Sequence, residues 1–275
     1  MKGKLYLVAT PIGNLDDITI RAIKTLKEVD LIAAEDTRHT LKLLNYLEIK
    51  KPLLSYYKQT EKSKSTILIE KLLKGMNIAL VSDAGTPGIS DPGTEIVKRC
   101  IENGITVIPI PGACALINAL ICSGLNTDEF VFAGFLPVNQ TEKKNKLEEL
   151  KKEPRTLIFY EAPHKLINTL QKLLEIFGNR KVVLAKEITK IHEEYYRTDL
   201  KTFLEKTIEP KGEYVILLEG NKDIEKENLI LNELSLESHY EYYEKKGYNK
   251  KEIIKKIASD RGKNKNEIYQ YFINR

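Results

Sequence analysis

At 275 residues with 42% hydrophobic content, the chain is long enough for two compact domains with full cores. A net charge of +5, from 44 basic against 39 acidic residues, is compatible with RNA but does not single it out. The N-terminal apolar run ends at Pro11 and is too short for a signal peptide, and the most apolar later segment, Ala113 to Leu125, is well below a membrane span. The cysteines Cys100, Cys114 and Cys122 form no C-x-x-C pair and read as buried free thiols, so a soluble cytoplasmic protein without a membrane partner is expected.

Lys4 to Ala9 reads as a strand ending in the loop Thr10-Pro11-Ile12-Gly13-Asn14, and a helix follows from about Asp17 to Val29 with Ile20, Ile23, Leu26 and Val29 on one face. Leu31 to Ala34 is a second strand, and its end carries Glu35, Asp36, Thr37 and Arg38. Leu41 to Leu47 is helical. Lys50 to Lys64 is polar, lysine-rich and interleaved with Tyr56 and Tyr57, open to reading as an RNA-facing loop or as solvated surface. A helix from Thr66 to Lys74 leads into the strand Ile78 to Val81.

After Ser82 the pattern breaks into Asp83, Ala84, Gly85, Thr86, Pro87 and Gly88, a mixture no regular element tolerates. Asp91-Pro92 reads as an N-cap followed by proline at the first helical position, with a helix running to Asn103. Strand, glycine-rich loop and helix N-terminus is where open α/β sheets place small ligands. The loop holds a carboxylate and neither Lys nor Arg, which argues against a phosphate and for a ligand with a cationic or hydroxyl-bearing part.

Strand Ile105 to Ile110 and Pro111-Gly112 close a first domain, residues 1–111, whose alternation of strand and helix predicts a mostly parallel sheet. Helix Ala113 to Ser123 is expected to be buried between domains. The second domain, 112–222, is another α/β layer with a mixed sheet: strands Phe130 to Gly134, Thr156 to Tyr160, Val182 to Ala185, Glu194 to Asp199 and Glu213 to Glu219, with an exposed helix Gln140 to Lys152 and a helix His164 to Phe177. The tail, 223–275, opens on a charged linker, Asp223 to Asn228, and continues as helices Leu236 to Lys246, Lys250 to Asp260 and Lys265 to Ile273 in a helix-turn-helix-like unit. Ile253, Ile254, Ile257 and Ala258 give the middle helix a buried stripe, and Ile268, Tyr269 and Phe272 the last one. The exposed faces carry Lys245, Lys246, Lys250, Lys251, Lys255, Lys256, Arg261, Lys263 and Lys265, suited to RNA or to solvation.

Neither G-x-G-x-x-G, Walker A nor H-E-x-x-H occurs, and four histidines without ligand spacing predict no metal. Acidic and basic groups at strand ends are the catalytic candidates: Glu35, Asp36 and Arg38 in the first domain, Lys186, Glu187 and Lys190 in the second. A lysine there acts as a base if its pKa is lowered, or stabilises an alkoxide if held charged, and the residues do not choose between these. An Asp36–Arg38 cap and a Lys186–Glu187 ion pair are the structural alternatives.

Five stretches in order resemble the small-subunit ribosomal RNA methyltransferase I family of the tetrapyrrole-methylase superfamily. They are LVATPIGNLDDITIRA (Leu7 to Ala22), AAEDTRHT (Ala33 to Thr40), AGTPGISDPG (Ala84 to Gly93), PGACALINAL (Pro111 to Leu120) and YEAPHKL (Tyr160 to Leu166). The resemblance implies two α/β domains with a cofactor cleft between them, commonly as a homodimer. It also implies an S-adenosylmethionine-dependent enzyme, with S-adenosylhomocysteine as product, that methylates a cytidine 2′-hydroxyl in the decoding region of 16S rRNA. It places the cofactor on Pro11 and Gly13, on Asp83, Ala84, Gly85, Thr86, Ile89 and Ser90, on Pro111, Gly112 and Ala113, and on Glu161 and Gly212. The competing readings are a tetrapyrrole C-methyltransferase, against which AEDTR and YEAPHKL stand, and a non-catalytic RNA-binding module.

Overall fold

Apolar strands bounded by glycine- and proline-rich loops build two five-stranded sheets in the computed structural model, which describes residues 1–206, 209–222, 231 and 233–273. The first sheet has the order β3-β2-β4-β1-β5 and is parallel throughout: β1 (Leu5–Val8), β2 (Leu31–Ala34), β3 (Leu53–Ser55), β4 (Ile78–Val81) and β5 (Val107–Ile110). Alternate residues face opposite helix layers. Leu31, Ala33, Ile78 and Leu80 join one core, and Ile32, Ala34, Ala79 and Val81 the other.

Helices α1 (Ile20–Glu28), α2 (Thr37–Tyr46), α3 (Glu61–Leu73) and α4 (Thr94–Glu102) cover this sheet. Helix α1 starts at Ile20 rather than at about Asp17, because Thr19 caps it, its hydroxyl accepting from the Ala22 amide. The buried face accordingly runs through Ala22, Leu26 and Val29, while Ile20 lies outside at 74% exposure. The lysine-rich stretch holds the edge strand β3 rather than a free loop. Tyr56 within it is fully buried, its hydroxyl against Ser65 Oγ at 3.0 Å and donating to Glu61 Oε1 at 3.3 Å. The same Glu61 oxygen accepts from the Gly93 amide at 2.8 Å, tying α3 to the start of α4.

The second sheet, order β6-β7-β10-β8-β9, is mixed as expected. Strands β6 (Phe130–Phe135) and β7 (Thr156–Glu161) are parallel, and β8 (Lys181–Lys186), β9 (Glu194–Asp199) and β10 (Tyr214–Leu218) join antiparallel. Helix α5 (Ala115–Ile121) buries Leu116, Ala119 and Leu120 on this sheet and leaves Ile117 and Ile121 exposed, so it is half-covered rather than enclosed. Of the three thiols only Cys100 is buried; Cys114 is partly so and Cys122 is exposed. Helix α6 (Gln140–Leu150) is exposed over most of its surface, as its charge suggests, but buries a stripe of Lys143, Leu147 and Leu150. Helices α7 (Leu166–Phe177) and α8 (Leu200–Leu204) complete the layer.

The chain divides into two compact units: Met1–Leu147 with Thr156–Glu219, which holds both sheets, and Glu148–Arg155 with Gly220–Arg275. In the second, α9 (Leu236–Lys245), α10 (Lys250–Asp260) and α11 (Lys265–Ile273) match the helices read from sequence. Gly247 and Gly262 take φ of 84° and 59° in the turns that separate them. The stripe Ile253, Ile254, Ile257 and Ala258 is buried with Ile268, whereas Tyr269 is 46% exposed. Arg261 is half-buried and turned inward: Nε donates to His239 Nδ1, and Nη2 donates to the Leu231, Leu234 and Ser235 carbonyls. The linker Asp223 to Asn228 lies outside the described residues. No helix among the described residues is long and apolar enough to cross a membrane.

Candidate active site

The carboxyl ends of strands in the first sheet, those of β6, β7 and β8 in the second, and the amino end of the antiparallel β10 line a cavity of about 520 Å³. From the first sheet it takes Glu35 after β2, Asp83, Ala84, Gly85 and Thr86 after β4, then Ile89, Ser90 and Asp91. From the second it takes Phe135, Tyr160, Glu161 and the stretch Glu213 to Val215. The loops that build it are laced together by backbone. Thr10 and Gly85 exchange amide hydrogen bonds at 2.9 and 3.0 Å, and Thr86 Oγ1 donates to the Ala113 carbonyl at 3.0 Å. Gly85 sits at φ 81°, where a Cβ would meet Ile12 Cγ2 at 3.2 Å.

Of the expected cofactor residues, Asp83, Ala84, Gly85, Thr86, Ile89, Ser90 and Glu161 line the cavity. Pro11, Gly13, Pro111, Gly112, Ala113 and Gly212 are not among its lining residues, and the three glycines show why their residue type fits as support. A Cβ on Gly112 would lie 2.8 Å from Ala9 Cβ, one on Gly13 2.4 Å from Lys190 Cγ, and one on Gly212 2.5 Å from Glu187 Cγ. Ala113 supplies the carbonyl that Thr86 binds.

Electrostatics give the cavity its character. Its lining contains no Lys, Arg or His among the described residues, but five carboxylates: Glu35, Asp83, Asp91, Glu161 and Glu213. Burial, and then the Asp83 charge, push Glu35 up. Burial, and then the Glu35 and Asp83 charges, push Asp91 up to about 7 against the opposing Ser82 hydrogen bond. Asp83 Oδ1 accepts from the Asp36 amide at 2.9 Å. The Tyr160 ring packs in edge-to-face pairs with Phe132 and Phe135, and its hydroxyl accepts from the Leu116 amide at 3.1 Å.

Asp91 corrects the sequence reading. It is not an N-cap: Gly93, at φ 150°, caps α4, which begins at Thr94, and Asp91 is left free to face the cavity. Tyr160, Glu213 and Tyr214 were likewise not singled out as site residues, though Tyr160 stands inside YEAPHKL beside Glu161.

Of the catalytic candidates only Glu35 lines the cavity. Asp36 caps α2, accepting from the Arg38 amide, and takes the Arg38 Nε and Nη2 at 3.1 and 2.8 Å. Arg38's hydrogen bonds hold Asp36 down to about 2, and its own side chain is 88% exposed. Lys186 Nζ lies 4.0 Å from Glu194. Lys190 Nζ donates to Glu187 Oε1 at 2.9 Å and to Glu213 Oε2 at 3.0 Å, so it reaches a cavity-lining carboxylate. Burial lowers the Lys190 pKa, but its bonds to Glu187 and Glu213 outweigh this and raise it, so Lys190 is held charged. Ser90, in the lining, and Glu187 and Thr189, on either side of the lining residue Ile188, take φ of 66°, 50° and 68°.

Fold and cavity define a protein of the tetrapyrrole-methylase class, and the family of Tetrapyrrole (Corrin/Porphyrin) Methylases matches residues 4–204. A solved uroporphyrin-III C-methyl transferase from Thermus thermophilus, complexed with S-adenyl homocysteine, shares the fold: TM-score 0.55, 17% identity, covering 79% of this chain and 97% of that one. The ribosomal RNA small subunit methyltransferase I of Halalkalibacterium halodurans is 50% identical over 98% of this chain and 95% of its own length. That of Bacillus subtilis is 48% identical over 98% and 94%. The chain belongs to the ribosomal RNA small subunit methyltransferase I family.

Proposed function

We propose that the protein transfers a methyl group from S-adenosylmethionine to the ribose 2′-hydroxyl of a cytidine in the decoding region of 16S rRNA, acting on the small ribosomal subunit. The observation that carries the reading is a cavity with five carboxylates and no Lys, Arg or His in its lining, in a chain of this family. Such a cavity fits a ligand bearing a sulfonium and an ammonium and disfavours a phosphate-bearing one. When bound, the cofactor supplies an electrophilic methyl group. The loop from Asp83 to Thr86, with Ile89, Ser90 and Glu161, would hold it, and the Thermus relative is itself a complex with S-adenyl homocysteine.

The chain's own contribution is to orient the ribose oxygen and exclude water around it. A ribose hydroxyl is a poor nucleophile, so stabilising the developing alkoxide lowers the barrier. Lys190, held charged beside Glu213, is suited to that role and not to that of a base. The basic faces of α10 and α11 serve rRNA: Lys250, Lys251 and Lys265 surround a groove of about 470 Å³ with Tyr269. The proposal extends to a cytoplasmic homodimer, in which a second copy covers apolar surface such as Ile121, 65% exposed.

Incubation with methyl-labelled cofactor and either small ribosomal subunits or a corrin precursor tests this. Label on a subunit ribose is the expected result. Label on the macrocycle would favour the tetrapyrrole C-methyltransferase, and RNA binding without cofactor consumption the non-catalytic module.

A further inference from the structure

Behind the cavity wall stands a buried lysine that the proposed reaction does not use. Lys143 on α6 is 6% exposed, Thr169 on α7 is 0% and Glu161 at the end of β7 is 6%. Lys143 Nζ donates to Thr169 Oγ1 at 2.6 Å, and Thr169 Oγ1 donates to Glu161 Oε2 at 2.6 Å. The other carboxylate oxygen, Oε1, accepts from the Ala162 amide at 2.9 Å. Glu161 and Ala162 both line the cavity, and Lys143 does not.

An ammonium donates only, and a hydroxyl has a single hydrogen. With Lys143 donating to it, Thr169 must aim that hydrogen away from the lysine, at Glu161. The lysine therefore fixes the direction of the hydroxyl, and the hydroxyl with the Ala162 amide fixes both oxygens of the carboxylate. Each oxygen keeps lone-pair capacity for a ligand. Burial lowers the Lys143 pKa, Glu161 opposes the shift, and Lys165 and Lys172 add to it. A buried ammonium facing a neutral hydroxyl is unfavourable for folding alone.

The cavity supplies a comparison. Glu213 has the Lys190 ammonium beside it, whereas Asp91 faces Glu35 and Asp83 and is pushed up by them. Behind Glu161 the compensating cation is Lys143, one hydroxyl removed.

We propose that Lys143 is a positioning residue of the cavity: through Thr169 it holds Glu161 as an oriented anionic acceptor for a positively charged, donor-bearing ligand. This rests on reading the cavity as the S-adenosylmethionine site.

Calorimetric titration of the full chain with S-adenosylhomocysteine, whose amino-acid ammonium supplies charge and donors, tests it. Lys143→Met and Thr169→Val should each raise Kd by about tenfold, the scale of a lost charge-assisted hydrogen bond. Thr169→Ser keeps the hydroxyl and should retain affinity. In a Glu161→Gln background, adding Lys143→Met should change Kd by less than about twofold, since the lysine acts only through that carboxylate. A merely structural lysine would add its full loss in that background, and this result would overturn the proposal. So would a folded Lys143→Met variant with unchanged Kd. Should Lys143→Met fail to fold, the threonine pair decides: equal losses in Thr169→Val and Thr169→Ser overturn the proposal, and loss in the valine variant alone supports it. A wild-type chain that bound no S-adenosylhomocysteine would instead overturn the assignment of the cavity.

Discussion

Replacing Asp91 by Asn tests whether the cavity is charged against itself before a ligand arrives. The Asp91 carboxyl, ordinarily 3.8, stands at about 7 in the fold, first through burial and then through Glu35 and Asp83. A carboxyl raised in the fold binds its proton more tightly there than in the unfolded chain, so unfolding free energy falls as pH rises from about 4 to about 7 and stays low above. Each pH unit in that window is worth about 1.4 kcal/mol for a fully shielded group. Between about pH 5.5 and 8.5, the stretch below 7 would remove about 2 kcal/mol, and solvent around this half-buried carboxylate screens it to about 1 kcal/mol. The Asn variant lacks the term. Urea unfolding of both proteins at the two pH values should show the variant's stability relative to wild type rising by about 1 kcal/mol at the higher pH. Affinity of wild type for a cationic cofactor should rise more over the same window than that of the variant, which keeps the raised Glu35. A stability difference that is the same at both pH values would refute the reasoning.

Gly85→Leu forces a side chain onto a φ of 81° and against Ile12, so cofactor binding should vanish while unfolding stays cooperative; an unchanged titration would contradict the role given to this loop. Lys190→Met should lower turnover by tenfold or more at nearly constant cofactor affinity, on the order of one lost alkoxide contact, and equal losses in both would reassign Lys190 to the cofactor pocket. Joint replacement of Lys250, Lys251 and Lys265 by Ala should leave cofactor binding intact and reduce the salt slope of rRNA binding by up to about 0.9 per phosphate contacted. An unaltered slope would leave the tail as packing. Burial, opposed by Asp260 and aided by Arg261, lowers the His239 pKa, so its stabilising effect is complete above about 6.5 and fades as pH falls below it. Hydrogen exchange in α9 and α10 should lose protection on acidification, and equal protection at about pH 7.5 and 5.5 would count against this.

Local signals made much of the fold legible. The run Ile78 to Val81 is the strand it reads as, and the tail helices end beside Gly247 and Gly262, because periodicity and glycine act over a few residues. The break at Asp83 to Thr86 is equally legible, since no regular element tolerates that mixture after a buried strand, and the loop lines the cavity. What escaped depended on distant partners. Asp-Pro is a good helix start locally, yet Gly93 bonds to Glu61, 32 residues away, and moves the start of α4 past Asp91. Lys143 lies in a helix of mixed charge, and the partner of its buried ammonium is Thr169, 26 residues on. Tyr56 looked like part of a basic surface because Ser65 and Glu61, which hold its hydroxyl, belong to the next helix.

The most direct test is a ribose-methylation map of small-subunit rRNA from cells lacking this protein, from wild-type cells, and from cells given back either the wild-type or the Gly85→Leu chain. A 2′-O-methyl group removes the hydroxyl that alkaline cleavage of RNA requires, so the modified position reads as an uncut bond. The account predicts one cytidine in the decoding region that is protected in wild-type cells, cleaved in the deletion, protected again with the wild-type chain and cleaved with Gly85→Leu. An rRNA map unchanged by the deletion would contradict it.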